Sequence, residues 1–256
     1  PMTRVYVGTC SWADHTNFYP PELPKNQQII FYAQHFSVVE IDSSFYRLMP
    51  ARNYQLWAER TPPGFVFDVK PFRQLTGHDR EAPATPEAVQ AFTQSIQPLR
   101  DAGKLGAIHM QFPPWFAYNP RNVDYLRGCR DWFPDDRIGI EFRHRSWLLG
   151  DHVPHLLETL NQSRLSLTVV DEPQIGSGSV PTVLSVTNPE LVIVRFHGRN
   201  YQKWYAKVQR TAGRFDYLYS DEELKEWVPN VAALAEDARE MHILFNNNRD
   251  DYAVRN

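Results

Sequence analysis

Cysteine is scarce in this chain, long apolar runs are missing and the net charge is small, and each shortage removes a class of protein. Only Cys10 and Cys129 occur in 256 residues, far apart and with no CxxC spacing. A disulfide framework is therefore not expected, and two lone thiols suit a reducing compartment. No stretch of 18 apolar residues occurs and the start shows no signal-peptide pattern, so a soluble, cytoplasmic protein without a membrane partner is expected. A net charge of −3 gives the whole molecule no strong pull on polyanions, which leaves only a local basic patch to attract nucleic acid. No GxGxxG follows the first strand, so there is no nucleotide-cofactor motif. Repeats, low-complexity tracts and linkers are also missing, and a single domain over residues 1–256 is expected.

What is present is a core and a rhythm. Hydrophobic residues make up 42% and aromatic residues 13%, enough for one large α/β domain. Short β-branched or aromatic runs recur at Val5–Val7, Val38–Asp42, Phe65–Lys70, Leu105–Phe112, Arg137–Phe142, Ser166–Asp171, Leu191–Gly198 and His242–Asn247. Near-continuous apolar character marks strands buried on both faces of a parallel sheet. Helix signals separate most of them. Ile29, Ile30, Ala33 and Phe36 share a face, and Thr85-Pro86 and Asn119-Pro120 each combine a cap with an N1 proline. Ser220 and Glu223 form a capping box. Eight such units predict an α/β fold, a single (β/α)8 TIM-type barrel. The Gly-, Ser- and Pro-rich stretch 172–190 carries no helix pattern and predicts an irregular β6–β7 connection.

Barrel enzymes carry their chemistry at the C-terminal strand ends. Reading those ends at period two gives Glu40 and Asp42, Asp68 and Lys70, His109 and Gln111, Glu141 and Arg143, Asp171, Arg195 and His197, and Asn246 and Asn248. Charges inside a barrel are costly unless paired or kept wet, so several strands carrying them at one end point to a site. A ring of ion pairs closing the barrel is the competing explanation. Catalytic candidates are Glu40, Glu141, Asp171, His109 and His197, the carboxylates as bases and the histidines as proton carriers, ligands or satisfied core residues. Glu141, Asp171 and His197 have the donor types of a divalent metal site, although Arg143 and Arg195 nearby would repel a dication. Lys70, Arg143, Arg195 and Arg199 suit an anion, and Asn246 and Asn248 can orient a substrate or simply form a turn. The stretch 195–214 interleaves cations with aromatics, Trp204 among them, as a phosphate-tracking surface or a solvated face would.

The blocks VGTCSW, VEIDSSFYRL, TPPGFVFDVK, MQFPPWF, IEFRHRSW, VRFHGRN, DYLYSDEEL and FNNN occur in the order seen in YecE-like proteins, which this chain resembles from Val7 to Asn256. The resemblance implies a TIM barrel and no established activity. By fold analogy it brings in barrels that use metal ions at the C-terminal mouth, but their ligand motifs are not visible here. The leading expectation is an enzyme, a phosphoester-type hydrolase, acting on an anionic, phosphate-containing substrate such as a nucleotide or nucleic acid. The alternatives are a non-catalytic nucleic-acid or small-anion binder using residues 195–214, and a sugar-active enzyme with Glu40 and Glu141 as its carboxylate pair.

Overall fold

The computed structural model describes residues 2–13, 15, 17–172, 174, 179–198 and 219–246. Eight parallel strands close on themselves in chain order, β1 pairing with β8. They are β1 Arg4–Cys10, β2 Val38–Ile41, β3 Val66–Val69, β4 Leu105–Gln111, β5 Ile138–Glu141, β6 Leu165–Asp171, β7 Val192–Phe196 and β8 Glu240–Phe245. Around them lie α1 Gln28–His35, α2 Ser43–Tyr46, α3 Ala51–Glu59, α4 Pro86–Ser95, α5 Gln97–Asp101, α6 Pro120–Trp132, α7 His152–Gln162 and α8 Asp221–Glu236. This is the expected TIM-type barrel.

The caps act as the sequence predicts. Thr85 accepts from the Ala88 amide at the start of α4, and Asn119 from the Asn122 amide at α6. At α8 the Ser220 side chain and the Glu223 carboxylate satisfy each other's backbone amides. Between β6 and β7 the described residues carry no helix. Side chains anchor that connection instead: Thr187 accepts from the Leu167 amide and donates to the Leu165 carbonyl, and Thr182 donates to the Val170 carbonyl. Among the described residues no helix is long and apolar enough to cross a membrane.

Side-chain parity divides the core into two. Outward-facing residues pack against the helices, as Val169, Val194 and Phe196 do against Tyr219 and Trp227. The inward face mixes an apolar girdle, including Val38, Val66, Ala107, Ile193 and Leu244, with buried charge. Gly8 permits the tight β1–β2 approach, since a Cβ there would lie 1.7 Å from the Val38 carbonyl oxygen.

The N-terminal end of the barrel is closed by a polar plug. His242 Nδ1 sits 2.7 Å from Asp68 Oδ2 and its Nε2 sits 2.7 Å from Glu240 Oε2. Arg137 pairs with the same Glu240 oxygen at 2.7 Å. Gly106 leaves the room, because a Cβ there would fall 2.3 Å from Asp68 Oδ1, and the β3–β4 register shifts at this point. Asp68, one of the polar strand ends read from sequence, therefore belongs to this plug and not to the mouth.

Candidate site at the barrel mouth

At the C-terminal end, Arg195 of β7 is fully buried and points inward. Its Nη2 donates to Glu40 Oε2 of β2 and its Nη1 to Glu141 Oε1 of β5, both at 2.8 Å. The two histidines flank this carboxylate–guanidinium–carboxylate bridge. His197 Nε2 lies 3.1 Å from Glu141 Oε2. His109 Nε2 lies 3.1 Å from Thr168 Oγ1. Its Nδ1 also approaches Glu40 Oε1 to 3.1 Å, but without the alignment of a hydrogen bond. Glu40, Glu141, His109, His197 and Arg195, read from the ends of four strands, thus converge in one buried cluster.

The electrostatics follow from who touches whom. Burial alone would raise both carboxyls, but the Arg195 guanidinium, helped by His109 at Glu40 and by His197 at Glu141, holds both well below the usual carboxylate range. Burial lowers the His197 pKa to about 4 against the opposing pull of Glu141. Its ring is therefore neutral at pH 7. A proton on Nε2 lets it donate to Glu141 while Nδ1 accepts from Asn246 Nδ2 at 3.1 Å.

A second layer stands above the first and is partly open. Lys70 Nζ donates to Gln111 Oε1 at 3.1 Å, and Gln111 Nε2 donates to Glu141 Oε2. Lys70 lies 4.0 Å from Asp42, and the two side chains are 14% and 26% exposed. Burial and then the neighbouring Glu40 charge push the Asp42 pKa well above the ordinary value, against Lys70. Asp42 is the functional candidate that sequence reading passed over: it appeared only as a strand end, with nothing to separate it from Glu40 two residues earlier. Arg143, at the end of β5, is half-buried and feels Glu172, Glu141 and Arg195.

Asp171 does not join this cluster, which corrects the sequence expectation. It shares the outward parity of Val169 and accepts from Tyr219 Oη at 2.7 Å and Trp227 Nε1 at 3.2 Å, under α8. The residue of opposite parity is Glu172, which accepts from the Val180 amide at 2.7 Å. Arg199, Trp204 and Asn248 lie outside the described residues, as does most of the stretch 195–214.

The donor set does not fit a dication. The trio Glu141, Asp171 and His197 is not assembled, because Asp171 faces the outer layer. A different group, Cys10, Glu40 and Asp42, brings ligand atoms within 4.8 Å of one another. There Arg195 Nη2 already lies 3.4 Å from Cys10 Sγ and 2.8 Å from Glu40. Burial, then Glu40, raises the Cys10 pKa and keeps the thiol protonated. A cation entering that space would face a fixed guanidinium and lack a thiolate.

Comparison with known proteins agrees with this architecture. Residues 6–256 match the family model described as "Protein of unknown function DUF72". The chain belongs to the DUF72 family. UPF0759 protein YunF of Bacillus subtilis is 39% identical over 259 residues, covering 98% of this chain and 92% of that one. UPF0759 protein YecE of Escherichia coli K12 is 24% identical over 273 residues, covering 90% and 96%. A DUF72 protein from Enterococcus faecalis superposes with a TM-score of 0.90 at 32% identity, over 98% and 92% of the two chains. Outside DUF72, the structure of SacUVDE shares the fold, with a TM-score of 0.54 at 10% identity over 98% and 95%.

Proposed function

We propose that this DUF72 protein is an enzyme that hydrolyses an anionic, phosphate-containing substrate, a nucleotide or a nucleic acid, at the C-terminal mouth. One observation carries the reading: above a fully buried Glu40–Arg195–Glu141 bridge stand Lys70 and Asp42, 4.0 Å apart and still partly exposed. Ion pairing that merely closed a barrel would have no need of this upper layer. Lys70 and Arg143 hold the anion by charge-assisted hydrogen bonds, and Asn246 orients it. Water attacks phosphorus as the ester P–O bond breaks; Asp42, protonated beside Glu40, donates its proton to the leaving oxygen, and the attacking water's proton returns to the Asp42 carboxylate. The buried bridge and the two histidines act as positioning residues, fixing Gln111 and, through it, Lys70.

A glycosidase reading loses support from the same geometry. Such an enzyme keeps one carboxyl of its pair protonated, whereas Glu40 and Glu141 share one guanidinium and are both held ionised.

Turnover of para-nitrophenyl phosphate and its bis ester by the intact protein tests the proposal. Asp42→Asn should lower kcat by about 10²–10⁴-fold, the range of a lost general acid, and Lys70→Met should mainly raise KM. Equal turnover in both variants would overturn the assignment. Salt-sensitive anion binding with no turnover would replace it with a binding protein.

A further inference from the structure

The upper layer continues outward into a line of aromatic rings that the proposed hydrolysis does not use. Phe45 and Tyr46 end α2 after β2, His78 and Arg80 lie in the loop after β3, and Trp115 lies in the loop after β4. Their rings touch in sequence across the three loops. Tyr46 and Phe45 are 5.2 Å apart between centroids, Phe45 and His78 4.7 Å, and His78 and Trp115 6.1 Å. Both ends of the line stay open, Tyr46 at 65% and Trp115 at 46% exposure.

Cations run beside the rings. Arg80 stacks over Trp115 at 4.1 Å, and Lys70 sits 5.5 Å from the Phe45 ring. Burial, then Lys70, Arg73 and Arg143, lowers the His78 pKa to about 4, so three further positive groups surround a neutral imidazole. Thr76 Oγ1 fixes that ring at 2.7 Å from Nδ1. Of the loop's acids, Asp79 accepts from the Glu81 amide within its own turn.

Pinning the loop would need only the Arg80–Trp115 pair. A continuous row of rings with open ends, edged by cations and leading to Lys70, has the composition of a single-strand platform, on which bases stack and phosphates track the positive edge. We infer that this rim is a stacking subsite for single-stranded nucleic acid, with bases on Trp115 and Tyr46 and phosphates passing Arg80 and Arg73 towards Lys70. The inference rests on the reading that the mouth takes a phosphate-containing ligand.

Anisotropy of a short fluorescein-labelled oligothymidylate bound to the intact chain tests it, alongside para-nitrophenyl phosphate turnover. Trp115→Ala and Tyr46→Ala should each weaken oligonucleotide binding by about five- to 100-fold, as expected for one lost stacking ring. Trp115→Phe should restore most of it, and turnover of the small ester should stay unchanged in all three. Wild-type oligonucleotide affinity in both alanine variants would overturn the rim while leaving hydrolysis at the mouth intact. So would tighter binding of duplex that is indifferent to Trp115, or no oligonucleotide binding at low salt. Stacking losses in a protein that turns over no phosphoester would support the rim and remove the hydrolase reading.

Discussion

Arg195 and Glu141 meet at 2.8 Å inside the barrel, and Glu40 grips the other arm of the same guanidinium at the same distance. Neither carboxylate could stay ionised so deep without that arginine, and the arginine could not be buried without them. The three residues are one electrostatic unit drawn from β2, β5 and β7.

Arg195→Met should therefore destabilise the fold by about 3–5 kcal/mol, the usual cost of leaving buried charge without its partner. Urea unfolding measures it. A loss below about 1 kcal/mol, the scale of an exposed pair, would show that water reaches Glu40 and Glu141.

Stability should fall as pH rises above about 6.5. Burial opposes the charge on His242, but Asp68 and Glu240 outweigh it and raise the pKa to about 9. This contribution is whole below about 6.5, the unfolded value, and is lost as pH rises towards 9. It is worth on the order of 3 kcal/mol. His197 and His78 work on the other side: with folded pKa values of about 4, they cost stability as pH falls from 6.5 to 4. Thermal melts across this range should show the fall, and His242→Phe should reduce it, leaving the part that the raised Asp42 pKa supplies. An undiminished decline in that variant would place its origin elsewhere.

Asp171→Ala should leave any turnover at the mouth unchanged and lower stability by about 1–3 kcal/mol, because Tyr219 and Trp227 each lose a buried acceptor. Trp227 fluorescence should shift in step. A turnover loss in a fully folded variant would return Asp171 to the catalytic group.

Gly8→Ala should fail to fold or melt far below the wild type, since the new methyl would enter the Val38 carbonyl at 1.7 Å. Circular dichroism decides this, and a near-native melt would mean that β1 and β2 can part locally.

Period-two reading was enough to find the mouth cluster because Glu40, Glu141, Arg195, His109 and His197 all share inward parity at strand ends. The same reading misplaced Asp171 by one position. Parity counts from an assumed last residue, and β6 is buried on both faces along its whole length, so Asp171 and Glu172 look alike in sequence. Asp68 was assigned to the wrong end of the barrel, because its partner His242 lies 174 residues further along the chain. The aromatic rim was invisible for a similar reason. Tyr46, His78 and Trp115 follow three different strands, β2, β3 and β4, and only the barrel sets them side by side.

The plug of Asp68, His242, Glu240 and Arg137 fills the end of the barrel opposite Lys70 and Asp42. On the proposed reading, a ligand that enters between Lys70 and Asp42 meets no passage through the barrel among the described residues. Whatever leaves must use the opening through which the next molecule arrives. Release and capture then exclude one another, and a retained product would act as a competitor of its own precursor.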